Sequence, residues 1–269
     1  MLVVAALLSG CVPFISNRTF MVPLAPLPAA QLAPHDWMTV WAGAQVSPVH
    51  EVRASDTAVQ VPSWQPELGA MFLTGKGYLL VGGALHASWS EWARPSAIGQ
   101  ADIKDRLLFG GRIRLGVRAP FTPRFGLIVG LEPGIDWLPF ATRTPGVGTF
   151  NDMIPSPALS GSVTPYFEND RLRAYVGVMA WTMSAAPVVG MGDELNAAVF
   201  TTNVGLAGGV KINLADSLAV SATVTVPVTR SDPPLLPMFS LALHWHLKRP
   251  VPQPASEPSP APPPAPSQL

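Results

Sequence analysis

Leu107-Leu108-Phe109-Gly110-Gly111-Arg112-Ile113-Arg114-Leu115-Gly116-Val117-Arg118 decides how the chain is read. Its odd positions carry Leu107, Phe109, Gly111, Ile113, Leu115 and Val117, with no polar side chain among them. Its even positions include Gly110, Arg112, Arg114, Gly116 and Arg118. Successive side chains of a strand project to opposite faces. A strand here therefore separates an apolar environment from one that accepts three arginines.

The same period of two, not the 3.6 of a helix, recurs along the chain. Met38, Val40, Ala42, Ala44 and Val46 alternate with Thr39, Gly43, Gln45 and Ser47. Leu79, Val81, Leu85 and Trp89 alternate with Gly82, Ala84, His86 and Ser88. Phe125, Leu127, Val129 and Leu131 alternate with Gly126, Gly130, Glu132 and Gly134. Similar patterns occupy Phe200 to Ile212, Leu218 to Val226 and Phe239 to Leu247. Weaker ones near 66–73, 159–168 and 172–183 complete a set of about ten strands, within a range of about 8–12. Their lengths suit tilted membrane strands of about 9–11 residues.

Composition narrows the class. Of the 269 residues 48% are hydrophobic and only 13% charged, with a mean hydropathy of +0.29. Soluble domains carry roughly 25% charged residues. Such hydropathy usually signals membrane helices, but no apolar run approaches the about 20 residues that a helix needs to span. The other way to cross a bilayer with every backbone group satisfied is a closed barrel. With 23 Gly and 31 Pro, many turns are expected and a helical bundle is not. Zero formal net charge gives no electrostatic case for nucleic acid, and a single Cys excludes an internal disulfide framework.

The connections alternate in length. Residues 48–65, 90–106, 137–158, 184–197 and 228–237 read as long loops. Between them fall the short links Thr74 to Gly77, Ala119 to Pro123, Asn169 to Arg171 and Ala215 to Ser217. Outer-membrane barrels put short turns on the periplasmic side and long loops outside. An even strand number then places both chain ends in the periplasm. Trp37, Trp89, Trp137, Phe125, Phe239 and Trp245 fall near strand ends, where aromatic girdles meet the headgroups.

The fold expected for residues 37–247 is thus an all-β, antiparallel, up-and-down transmembrane β-barrel. This region resembles the small outer-membrane β-barrels of Gram-negative bacteria, porin-like in pattern. Its last strand, ending Leu243-His244-Trp245-His246-Leu247, is similar to the terminal signal read by the barrel assembly machinery, but ends in Leu rather than Phe and is followed by a tail. Residues 1–11 read as a signal segment, in which Leu8-Ser9-Gly10-Cys11 resembles a lipobox. That resemblance implies lipidation of Cys11, although the apolar run is short and no Lys or Arg precedes it. Residues 12–36 read as a Pro/Ala-rich tether, and 248–269 as an extended Pro-rich periplasmic tail.

A soluble lipocalin-like barrel would put apolar residues inside and charges outside. The apolar faces here are nearly continuous and the polar faces are rich in Gly and Ala, which suits a polar, narrow lumen. Arg112, Arg114, Arg118, Glu132, Asp136, Arg173 and Lys211 would then point inward and pair. At about ten strands the interior is only slightly wider than the eight-stranded case that side chains fill, so a lumen plugged by ion pairs, or at most a narrow pore, is expected.

For chemistry, His86 and Ser88 share a strand face with Glu91 nearby, a weak likeness to the His-x-Ser pair of lipid A deacylases. His244 and His246 project together, but no third metal ligand can be placed. No catalytic residue, cofactor or metal is expected. The expected role is a non-enzymatic envelope component with a plugged or narrow lumen. Its expected partners are outer-membrane lipid, the assembly machinery, and envelope proteins met through the long loops, above all 137–158, and the tail. A narrow solute channel and a lipid-modifying hydrolase are the alternatives.

Overall fold

The computed structural model describes residues 17–34, 37–48, 50–54, 57–74, 77–92, 103, 105–144, 148–185, 199–228 and 237–248. Cys11, most of the C-terminal tail and parts of several long connections lie outside the described residues. In chain order the strands are β1 (Asn17–Met21), β2 (Met38–Val46), β3 (His50–Ala54), β4 (Thr57–Val61), β5 (Trp64–Thr74), β6 (Leu79–Trp89), β7 (Leu107–Pro120), β8 (Phe125–Thr144), β9 (Gly148–Glu168), β10 (Leu172–Ala185), β11 (Val199–Ala215), β12 (Leu218–Pro227) and β13 (Met238–Leu247). A single helical turn, α1 (Ala29–Leu32), lies between β1 and β2.

Ten of these, β2 and β5–β13, form a closed antiparallel barrel in which sequence neighbours pair. Closure is made by β13 against β2, from Phe239 opposite Val46 to Leu247 opposite Met38. The ten-stranded barrel expected from the alternation is the fold of the protein. Closure leaves no unpaired edge through most of the wall, which a chain in hydrocarbon requires.

Of residues 137–158, expected as a long recognition loop, 137–144 and 148–158 are instead strand. β8 and β9 pair without a break from Phe125 opposite Phe167 to Thr144 opposite Gly148. The prolines of this stretch hid it. Leu159 N–H donates across to Thr182 Oγ1 on β10, so odd residues of β9 direct their amides to that side. The β9–β10 ladder runs only as far as Ser160, and Pro155 and Pro157, of the same parity, lie beyond it. Their missing N–H groups therefore leave no ladder bond unmade.

The projecting part of β8 is flanked by a small annex. β1 pairs with β8 from Phe140 to Arg143 and with β4 in parallel, and β3 pairs with β4. Residues 50–54 and 57–61, expected within a loop, are thus strands at the long-connection end of the barrel.

From β1 the chain turns into the barrel and runs down its inside. Residues 19–34 are all buried. Leu24 bonds Gln65 near the long-connection end, Leu27 bonds Arg114 at mid-height, and Ala33 bonds Arg173 and Lys211 near the short-turn end. The expectation of a free tether over 12–36 is corrected for residues 17–34. β1 sits at the long-connection end, whereas β13 finishes at the other. Pro- and Ala-rich composition reads as a linker because it has no period. Its burial comes from contacts up to 192 residues away in sequence.

Candidate functional site

The two faces of the wall differ as in a membrane barrel. Outward positions of β7 are Phe109, Ile113, Leu115 and Val117, all exposed. Val129, Leu131 and Ile135 continue this apolar belt on β8, and Val176, Val178, Leu206 and Leu241 carry it round the barrel. Aromatic pairs mark both borders. Phe109 and Trp137 stack at 6.0 Å toward the long-connection end, and Phe125 and Phe167 meet at 5.1 Å at the short-turn end. A shallow trough of about 1030 Å³ crosses this belt, with Leu68, Leu85, Ile113, Ile135 and Trp137 around Gly83, Gly111 and Pro133. It is apolar and lies on the outer wall, where acyl chains would fill it.

The interior holds the polar chemistry. Inward positions of β7 carry Arg112, Arg114 and Arg118 in a row down the lumen, and the structure arranges charges around each. Nearest the long-connection end, Asp136 lies 3.0 Å from His86 Nε2 and 3.5 Å from Arg112. Gly110 makes room for this pair, since a Cβ there would meet the His86 ring at 2.6 Å.

At mid-height Arg114 is fully buried. It reaches Glu67 at 2.8 Å and Glu132 at 3.5 Å, and its Nη1 donates to the carbonyl of Leu27 at 2.8 Å. Trp41 lies under the guanidinium at 5.3 Å and donates from Nε1 to Glu67 at 3.1 Å. At the short-turn end Arg118 and Arg173 share Glu168, and both lie over the Tyr166 ring. Arg173 also donates to the carbonyls of Ala30 and Ala33, and Lys211 to that of Ala33 at 3.2 Å.

Arg112, Arg114, Glu132, Asp136, Arg173 and Lys211 are therefore buried in the lumen, with Arg118 partly so. They do not make one cluster but three tiers. Two acids central to those tiers, Glu67 and Glu168, were not singled out from the sequence. Both stand in the weakly patterned segments, and their signal was a lone charge at an inward parity. Large apolar side chains also point inward, which the reading of a polar, small-residue lumen missed. Trp41, Met71, Leu80, Leu108, Ile128, Leu138 and Trp181 are buried there and pack on residues 21–33. Gly69 admits the Trp41 ring, which occupies the place a Cβ would take.

The candidates for chemistry are spoken for by neighbours. Ser88 Oγ donates to the carbonyl of Trp64 at 2.7 Å, and the acid beside His86 is Asp136, while Glu91 is exposed. His244 Nε2 lies 2.7 Å from Ser221 Oγ, and His246 Nδ1 lies 2.8 Å from Thr39 Oγ1. Among the described residues no group of three or more His, Cys, Asp or Glu is placed to hold a metal.

No protein-family model matches the chain, and no curated protein does. Among solved structures, the translocator domain of the autotransporter NalP from Neisseria meningitidis aligns at 10% identity with a TM-score of 0.41, over 80% of this chain and 91% of its own. The Pseudomonas putida toluene transporter TodX aligns at 11% identity with a TM-score of 0.33, over 79% and 69%. Likenesses this distant leave function to be read from the residues.

Proposed function

We propose that the protein is a non-enzymatic barrel of the bacterial outer membrane, closed to solutes by its own residues 22–34. It serves the envelope as a structural or interaction component. Its short turns face the periplasm, and the end bearing the β8–β9 hairpin and the annex faces outward. From there it meets envelope partners, and the Pro-rich arm beyond residue 248 meets others on the periplasmic side.

One observation carries the reading. Every residue from 22 to 34 is buried, and along the barrel's inside its backbone groups are bonded by Gln65, Arg114, Arg173 and Lys211. A segment so enclosed occupies the space through which a solute would pass. The hydrolase reading is disfavoured because His86 and Ser88 are both buried in the lumen, away from lipid.

The test is heat-modifiability on a gel of protein purified in detergent from the outer-membrane fraction, followed by planar-bilayer recording. A fast unheated band that shifts on boiling, with no steady conductance, supports the proposal. Steady conductance from the intact chain overturns closure, and a soluble unshifted band overturns the membrane location.

A further inference from the structure

We propose that residues 22–34 are a displaceable stopper over an anion-selective pore, with Gln31 as its latch and Lys211 as the charge that sets selectivity. The proposal rests on the closed-barrel reading above and adds what lies beneath the closure.

The stopper is chemically unlike its surroundings. From Phe20 to Pro34 it carries no charge, and its one polar side chain is Gln31. Pro23, Pro26, Pro28 and Pro34 remove four backbone donors. Apart from its apolar packing and the Val22 N–H bond to the Gln60 carbonyl at its entry, what ties it to the wall is a short series of side-chain bonds rather than a strand ladder. Gln31 makes the densest of these. Its Nε2 donates to Ser221 Oγ at 2.7 Å, while its Oε1 accepts from Thr223 at 2.6 Å and from Tyr175 at 3.4 Å. Such a segment can leave without breaking the barrel, because none of its bonds closes the wall.

Its departure would not disturb the charges equally. Arg114 keeps Glu67 and Glu132, and Arg173 keeps Glu168. Lys211 differs. Among the described residues its hydrogen-bond acceptor is the Ala33 carbonyl, which belongs to the stopper, and no carboxylate lies within ion-pair distance. On the described inner wall Arg112, Arg114, Arg118, Arg173 and Lys211 face Glu67, Glu132, Asp136 and Glu168. The unmatched cation is the one the stopper covers. Pores lined by surplus Lys or Arg favour anions.

The experiment records the full chain in phosphatidylcholine bilayers under a KCl gradient. Gln31→Ala should raise the frequency of openings about tenfold, as the loss of a buried hydrogen bond implies. Those openings should reverse at a potential of anion-selective sign. Adding Lys211→Gln should bring the reversal potential close to zero. A Cβ built at Gly130 would lie 3.0 Å from Ala29 Cβ. Ala29→Cys with Gly130→Cys, in a Cys11→Ser background, therefore pins stopper to wall, and openings should vanish on oxidation and return on reduction.

The proposal is overturned if the pinned and reduced forms open alike. It is overturned too if Lys211→Gln leaves the reversal potential unchanged, or if Gln31→Ala is silent while its gel shift reports a folded barrel. Steady, unlatched conductance from the unaltered chain would instead sink the closed-barrel reading itself.

Discussion

Arg114 Nη2 sits 2.8 Å from Glu67 Oε1, with both side chains shut off from solvent. The pair is braced on every side, by Trp41 Nε1 on the acid and by the Leu27 carbonyl on the base. Removing one partner of a buried pair leaves a charge that nothing else neutralises, at a cost of about 3–5 kcal/mol. Glu132, at 3.5 Å, offsets part of that for Arg114. Glu67→Leu is therefore expected to lower the temperature of the gel-shift transition markedly. Glu67→Leu with Arg114→Leu and Glu132→Gln, which leaves no charge of this tier without its partner, should recover much of the loss. Equal damage from the single and the combined variant would show that the ion pair is not what holds this tier.

The wall was legible where one residue in two had a distinct job. Leu107 to Arg118 shows its two faces because Arg112 and Arg114 face the lumen while Ile113 and Leu115 face out. Parity fails where an inward residue is also apolar. Trp41 and Leu80 interrupt the alternation of their strands, because they pack on the enclosed segment rather than facing water. The segment itself, 17–34, has no period to read. Its place depends on Gln31 finding Ser221 and Arg173 finding Ala33, pairings across 190 and 140 residues that local pattern does not encode. Glu168 escaped notice for a related reason: it stands at the end of a strand whose Pro165 weakens the β9–β10 ladder.

The outer belt makes a prediction that separates a membrane barrel from a soluble one. Ile113 is 58% exposed on the outer face, midway along β7. In a bilayer, Ile113→Arg should cost roughly 2–4 kcal/mol, the depth-dependent penalty for a cation facing mid-membrane lipid. Unfolding by urea from lipid vesicles measures it. On a soluble barrel the same change would fall within about 0.5 kcal/mol, as surface substitutions usually do. A neutral result would remove the membrane assignment.

Gly69 faces the lumen on β5, and the Trp41 ring fills the volume a side chain would need. Trp41 cannot yield easily, because its Nε1 is bonded to Glu67 and its face carries Arg114. Gly69→Ala should therefore destabilise by about 1–3 kcal/mol, the usual cost of overpacking. Moving the indole would also loosen the Arg114 tier, so the loss should shrink when Trp41→Phe is added. A lone Gly69→Ala as stable as the parent would mean the ring is free to move aside.

The path of the N-terminal segment sets the topology of the ends. Asn17 pairs opposite Arg143 on the projecting β8–β9 hairpin, while Leu247 pairs opposite Met38 at the short-turn end. An epitope inserted immediately ahead of Asn17 should thus be read on the same face of the membrane as one inserted between Thr144 and Gly148. An epitope placed after Lys248 should be read on the opposite face. Antibody or protease added to intact cells, and again after the outer membrane is permeabilised, distinguishes the two. Protection of the Asn17 and Lys248 epitopes alike, with the hairpin epitope exposed, would put both ends in the periplasm. It would also mean that the chain does not cross the lumen, and the wall bonds to Leu27 and Ala33 would have to be made another way.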